Sequence, residues 1–368
     1  MVNKKKILYI GGFEMPDKNA AAQRVLSIAK SLREAGYETF FYGMSKDAYA
    51  KGEVDGFKYD GYQYPHSTMT WFKYALGREI IPYIQKVKPD FVFTYNYPAF
   101  AQEKVIHYCR KHGIKTVGDI TEWYRTKSFV KKIDTWYRMH VSNKHLDGII
   151  AISSYLNGFY KKQYTIQVPP FVDKSEEKWQ IHVEKYQDDK VHLVYIGTGS
   201  IKDRLDKIIK GIYDAGADRF AVDIIGINEE KFHKIYTTDV DLAKMDITFH
   251  GRLPHKVAVE YLMKADFQIF FRDFVRVNNA GFPTKFVESM SAGVPVITNR
   301  ISNIADYIVN GKNSFMIEHP EDSEICEVLV RVSKLSREEI NAIKKNCLVD
   351  DFDYHKYTDS LKSFMEGL

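Results

Sequence analysis

One arrangement, used twice, limits what this chain can fold into. Ile7-Leu8-Tyr9-Ile10 is a short apolar run that stops at Gly11-Gly12, as a buried strand does on entering a tight turn. Val25, Ile28, Ala29 and Leu32 then recur at helical spacing, Gly36 stands where a helix ends, and Glu38 to Tyr42 reads as the next strand. Strand, glycine turn, helix, strand is one βαβ unit. The same opening returns at Val191 to Ile196, followed by Gly197-Thr198-Gly199 and a helical stretch from Leu205 to Ile212.

Short apolar runs continue through both halves. Phe91 to Thr94, Ile114 to Val117 and Gly148 to Ala151 read as strands in the first half, with Ala101 to Lys111 helical. In the second half Ala221 to Ile225, Ile247 to His250, Phe267 to Phe271 and Val294 to Thr298 do the same. Strands alternating with helices predict parallel sheets covered on both faces. The expected fold class is α/β, with two doubly wound parallel-sheet domains in tandem. Their ligands are expected at the carboxyl ends of the strands, facing a central cleft. Pro169-Pro170 and the charged, aliphatic-poor stretch after it suggest an amino-terminal domain over 1–170, a linker over 171–190 and a second domain over 191–352. The tail 353–368 reads as a helix that returns to the first domain.

Composition removes several classes. Cys109, Cys326 and Cys347 are scattered and odd in number, which argues against a disulfide framework or a structural zinc site and fits a reducing cytosol. The twelve histidines form no convincing metal-binding pair, so no metal is expected. A net charge of +5 is too mild for a nucleic-acid binder, though an anionic ligand or acidic membrane surface suits it. The apolar run after Met1-Val2-Asn3-Lys4-Lys5-Lys6 is too short for a signal-peptide core, and no stretch is long enough to span a membrane. The expected location is the cytoplasm, with peripheral contact at the inner face of the membrane left open.

The segment Arg272 to Thr298 carries the clearest chemistry. Gly281-Phe282-Pro283 breaks the chain after a strand, and a helix is expected from Thr284 to Gly293. A helix N-terminus at the carboxyl edge of a parallel sheet favours anions. The backbone N–H groups of Thr284 and Lys285, with the Lys285 ammonium, suit a diphosphate. Glu288 lies one turn on, where a carboxylate can accept from ribose hydroxyls. From pattern alone an ordinary amphipathic helix with exposed Lys and Glu fits equally well.

Gly281-Phe282-Pro283-Thr284-Lys285-Phe286-Val287-Glu288, followed by Ser291-Ala292-Gly293-Val294-Pro295-Val296-Ile297, resembles the donor-site signature of glycosyltransferase family 4. Ile152-Ser153-Ser154-Tyr155-Leu156, Pro169-Pro170-Phe171-Val172-Asp173 and Val309-Asn310-Gly311-Lys312-Asn313-Ser314-Phe315 resemble further segments of that family, in the same order. The resemblance implies a GT-B architecture of two Rossmann-like domains and sugar transfer from a nucleotide sugar, with UDP the default base. It implies retention of anomeric configuration and no metal or other cofactor. It places Thr284, Lys285 and Pro283 at the donor diphosphate and Glu288 at the ribose. It also brings Gly12, Lys202 or Arg204, Arg252-Leu253, Arg272 and Asn278 or Asn279 toward the donor. Ala280 stands where many members have a Glu associated with the transferred sugar, which puts the sugar contacts in doubt.

On the acceptor side Asp119 and Glu122 follow a strand as paired carboxylates able to orient a hydroxyl, or equally as the acidic first turn of a helix. No covalent nucleophile is assigned; the resemblance suggests that the donor diphosphate takes the acceptor proton. The basic and aromatic stretch 127–144, with Lys127, Lys131, Lys132, Trp136, Tyr137, Arg138 and Lys144, suits contact with an anionic membrane bearing a lipid-linked acceptor, or a solvated helix face. The expected acceptor is a saccharide or lipid-linked glycoconjugate of a bacterial cell surface. A nucleotide-sugar 2-epimerase and a non-catalytic glycan- or transferase-binding subunit remain alternatives.

Overall fold

The computed structural model describes residues 4–16, 19–46 and 50–368; Met1, Val2 and Asn3 of the basic amino terminus lie outside them. The chain divides into two compact units. One runs to Val172 and adds Ala280–Phe282 and Tyr354–Leu368; the other is Asp173–Asn279 with Pro283–Asp353.

In the first unit, β1 (Lys6–Gly11), β2 (Glu38–Ser45), β3 (Lys51–Val54), β4 (Phe57–Gln63), β5 (Phe91–Tyr95), β6 (Lys115–Ile120), β7 (Gly148–Ala151) and β8 (Thr165–Gln167) form one sheet. Its order is β3-β4-β2-β1-β5-β6-β7-β8. Every pairing is parallel except β3 with β4, a hairpin closed by Asp55 and Gly56, both at positive φ. The inner strands are buried on both faces, with Ile7, Leu8, Tyr9 and Ile10 inaccessible, because helices cover both sides of such a sheet. The helix Ala20–Glu34 is capped by Asn19 and buries Val25, Ile28, Ala29 and Leu32. Gly36 follows it at φ 96°, the left-handed conformation that ends helices.

The carboxyl-terminal segment joins this unit. The Ser31 hydroxyl donates to the Tyr354 carbonyl at 2.9 Å. Tyr164 stacks on Phe364, and Phe171 on Tyr357, with centroids 5.0 and 4.8 Å apart.

In the second unit, β9 (Val191–Ile196), β10 (Phe220–Ile225), β11 (Asp246–Gly251), β12 (Phe267–Ile269), β13 (Val296–Asn299) and β14 (Phe315–Ile317) form a wholly parallel sheet in the order β11-β10-β9-β12-β13-β14. Leu193, Tyr195, Val222, Ile224, Phe267 and Ile297 anchor its core. The stretch after Val172 belongs to this unit rather than forming a separate connector. Trp179 is buried there, and Glu177 accepts from Lys256 at 2.7 Å. In both sheets the strand order reverses beside the first strand, between β1 and β5 and between β9 and β12. Ligands of doubly wound sheets bind at such switch points.

Candidate functional site

At the switch point of the second unit the chain leaves β9 through Gly197 and leaves β12 through Phe270-Phe271-Arg272. A Cβ at Gly197 would crowd the Lys285 Nζ and the Tyr195 hydroxyl, so glycine lets both lie against the turn without shifting. Lys285 is the second residue of the helix Thr284–Ser291, whose preceding Pro283 offers no side-chain cap. The first N–H groups of that helix are therefore left to other acceptors.

These elements converge on Asp203, which is 2% exposed. Its carboxylate accepts from Lys285 Nζ at 2.7 Å, Arg272 Nε at 3.0 Å and the Tyr195 hydroxyl at 2.8 Å. The Lys285 ammonium also lies 4.1 Å from the Tyr195 ring centroid, a favourable cation–π distance. Burial alone would raise the Asp203 pKa, but Lys285 and Arg272 outweigh it and hold the carboxyl well below the usual range. Burial pulls the Lys285 pKa down to about 8; Asp203 opposes this, while Arg272 and Lys202 reinforce it. Burial and the Asp203 charge push the Tyr195 phenol far above its usual range. Two cations thus share one carboxylate, leaving a surplus positive charge beside an uncapped helix N-terminus.

The remaining donor-side residues differ in their availability. Thr284 is half-buried at the helix start, and Glu288 follows one turn later, its carboxylate 3.2 Å from His255 Nε2. His255 meets Trp179 edge-on, and its Nδ1 has no partner. Lys202 is exposed and acts on Lys285 through its charge. Arg204 is committed elsewhere: it pairs with Asp273 at 2.7 Å and Asp206 at 3.5 Å. Asn279 is spent on the Ser302 backbone N–H at 3.0 Å, and Asn278 on the Asp273 carbonyl at 2.9 Å, so both amides shape the loop. Arg252 is exposed just after β11, while Leu253 packs against the cluster of Val194, Ile225, Ala258 and Leu262. Ala280 is fully buried.

On the first unit the paired-carboxylate expectation fails. Asp119 has no exposed surface; it accepts from the Tyr9 hydroxyl at 2.5 Å and from Arg24 Nη2 at 2.7 Å. Arg24 spends its other edge on the carbonyls of Val168 and Pro169. A carboxylate fixed in this way cannot orient an acceptor hydroxyl. Nor does Asp119 begin a helix: it sits within β6, and the next helix, Phe129–His140, starts later. Glu122 is exposed on the segment after β6, apart from the Asp119 cluster. Gly12 follows β1, and a Cβ there would meet only Met44 at 3.9 Å, so the fold does not demand glycine at that position. It lines a cavity within the first unit instead. Asp203 and Tyr195 carried no signal of their own in the sequence; a lone Asp between Lys202 and Arg204 resembles an ordinary exposed turn.

Among the described residues no group of three or more His, Cys, Asp or Glu is placed to hold a metal ion, and no helix is long and apolar enough to cross a membrane.

No curated protein matches the sequence significantly. Solved structures share the fold over nearly the whole chain. Sucrose-phosphate synthase from Thermosynechococcus elongatus aligns with a TM-score of 0.74 and 10% identity, covering 99% of both chains. The catalytic domain of starch synthase IV from Arabidopsis thaliana, bound to ADP and acarbose, aligns with the same score, identity and coverage. Anabaena HepE in complex with UDP aligns with a TM-score of 0.68 and 12% identity, covering 99% of this chain and 100% of that one. The family model described as glycosyl transferases group 1 matches residues 176–347, a range that includes the Asp203 cluster. The fold is that of the GT-B glycosyltransferases, and the family match supports a transferase of sugars.

Proposed function

We propose that this chain moves a sugar from a nucleoside diphosphate sugar, with UDP as the default base, to a saccharide or lipid-linked acceptor, retaining anomeric configuration. The observation that carries this reading is the surplus charge at Lys285 and Arg272, which share the single carboxylate of Asp203. In the reaction the bond from the sugar C1 to the phosphate oxygen breaks and a bond from C1 to the acceptor oxygen forms. The acceptor proton passes to an oxygen of the departing diphosphate. Negative charge grows on that diphosphate as the bond breaks. Cations fixed in a partly dry site stabilise growing charge without having to reorganise. The protein's own cations carry out this stabilisation, without a metal. Glu288, oriented by His255, receives the ribose hydroxyls.

The helix Phe129–His140 supports peripheral membrane contact. Phe129, Ile133 and Trp136 are 74%, 52% and 57% exposed, and their spacing places them on one face, with Lys127, Lys131 and Lys132 exposed nearby. Such a face suits the boundary of an anionic bilayer. Arg138, grouped with these residues by sequence, is buried and takes no part. We place the reaction at the cytoplasmic side of a bacterial membrane, in the assembly of a cell-surface glycan.

Thermal unfolding with UDP, GDP, ADP and CMP tests the donor site. A ligand at about 100 times its Kd adds roughly 2.7 kcal/mol to stability. One nucleotide should raise the Tm, and Glu288→Ala should abolish the rise. No shift with any of the four at millimolar concentration removes this donor site.

A further inference from the structure

We infer that a cavity confined to the first unit recognises an anionic group, phosphate or carboxylate, carried on a sugar, through the unpaired edge of Arg138. The cavity has a volume of about 400 Å³, in the range of small-ligand sites, roughly 300–1,000 Å³. Trp71, Tyr74 and Tyr124 form aromatic walls, Arg125 and Lys131 bring positive charge, and Arg138 lines it from the helix Phe129–His140.

Arg138 is 3% exposed, yet its Nε and Nη2 have no hydrogen-bond partner among the described residues. Its orientation is nonetheless fixed. Nη1 donates to the Asn96 carbonyl at 2.9 Å, and the guanidinium lies 4.9 Å from the Tyr124 ring centroid. Asn96 stands at the end of β5 with φ 43°, and its side chain is tied to Thr121 by two hydrogen bonds. The fold therefore places a carbonyl against one nitrogen and leaves the other edge of the fork unpaired. Nε and Nη2 are the pair that grips two oxygens of a carboxylate or phosphate side by side. A buried charge with unmet donors is costly, so a group that completes it there gains strongly.

Asp134 feels the Arg138 charge but does not fill this place. Asp134, one turn before Arg138, also lines the cavity, but its carboxylate accepts from the Ala99 N–H at 2.9 Å. No ion pair joins Asp134 to Arg138 among the described residues. Arg125, Lys131 and Arg138 against Asp134 leave the cavity net positive. Lys131 Nζ lies 5.7 Å from the Trp71 ring centroid, so a cation and a flat apolar wall stand together, as a charged sugar requires.

The inference deepens the transferase reading, on which it rests only for naming the ligand an acceptor: that reading leaves the acceptor's chemistry open, and this cavity selects acidic or phosphorylated sugars. The test is titration calorimetry on the full chain without nucleotide, using glucose 6-phosphate, glucuronate, neutral glucose and inorganic phosphate. At least one of the two anionic sugars should bind at least tenfold more tightly than glucose. Arg138→Gln should weaken that binding at least tenfold while keeping the UDP-induced rise in Tm, which reports on the other unit. Because Arg138 also holds the Asn96 carbonyl, Trp71→Ala at the half-buried wall serves as a second variant. It should weaken binding of the anionic sugar and leave inorganic phosphate unaffected. Equal binding of charged and neutral sugars, no binding at millimolar concentration, or indifference to both substitutions overturns the inference. A failure here leaves the UDP shift standing, and an absent UDP shift leaves this binding standing, so the two readings fail separately.

Discussion

Asp203→Asn isolates the electrostatics of the second unit. The substitution keeps the shape of the side chain and removes its charge, leaving Lys285 and Arg272 close together in a nearly dry site with no anion between them. Breaking a buried pair by removing one partner costs about 3–5 kcal/mol. The loss should fall at the lower end, because Lys285 has an escape. Its pKa is already about 8 with Asp203 present, and without that carboxylate it gives up its proton near neutral pH rather than remain charged. For a unit of this size each kcal/mol moves the Tm by roughly 2–4 °C, so a loss of about 3 kcal/mol corresponds to a fall of roughly 6–12 °C. The assay is calorimetric unfolding of the two proteins at pH 7 without ligand. The escape route adds a second signature. Raising the pH from 6 to 8 should stabilise the variant more than the parent, since the variant's Lys285 titrates in that window. A variant that melts within a degree of the parent would show that Asp203 does not hold the two cations, and the surplus-charge argument would fall with it.

Nucleotide binding should follow the Lys285 proton: affinity for UDP holds up to pH 8 and then drops by up to about tenfold per unit, the limit for loss of one proton, measured by calorimetric titration. Stability should respond in the opposite sense, because the folded pKa of about 8 lies below the usual lysine value; the unfolded chain then binds the extra proton, and this group's contribution rises with pH between about 8 and 10.4. On the first unit, Asp119→Asn strands Arg24 in a fully buried position and should cost about 3–5 kcal/mol, read as a lower Tm without any substrate; an unchanged Tm together with lost transfer would return Asp119 to a catalytic role. Lys127→Ala with Lys132→Ala should weaken partitioning onto anionic vesicles by roughly thirtyfold, about 1 kcal/mol per cation, with neutral vesicles unaffected; equal partitioning of variant and parent would remove the membrane proposal.

The parts of this molecule visible in its sequence are those written in local pattern. The Val25-Ile28-Ala29-Leu32 stripe and the two apolar runs ending in glycine repeat at the spacing their elements impose, and the structure forms them as read. The helix that carries Lys285 and Glu288 was legible because a proline before it and a glycine after it bracket the segment, while the donor role given to the two residues came from the family resemblance. The β3–β4 hairpin carried a local signal too, Asp55-Gly56 between strand residues, but β3 is only four residues long and β4 is mostly polar. What stayed hidden depends on residues far apart in the chain. Asp119 meets Arg24 across 95 positions, and nothing around either residue marks the meeting. A carboxylate near a strand end has the same local sequence whether it faces water or a buried guanidinium. Arg138 was misplaced for a related reason: its neighbours in sequence are exposed, and only the fold turns this one side chain inward.

Each unit joins a tyrosine of its first strand, a buried aspartate and a cation in one cluster, and the two units use that cluster differently. Tyr9 on β1 donates to Asp119, which holds Arg24; Tyr195 on β9 donates to Asp203, which holds Lys285. In the first unit one cation meets one carboxylate, and the guanidinium's remaining edge is taken by two backbone carbonyls. Charge and hydrogen bonds both close, so the trio acts as a brace and has nothing left for a ligand. In the second unit Arg272 joins the same carboxylate, and the charge no longer closes. A fold under selection for stability alone gains little from adding the partly buried Arg272 to a carboxylate that the buried Lys285 already pairs, since a desolvated charge without its own partner costs several kcal/mol. A bound diphosphate would complete the imbalance, which is the basis of the proposed donor site, and no such imbalance surrounds Asp119.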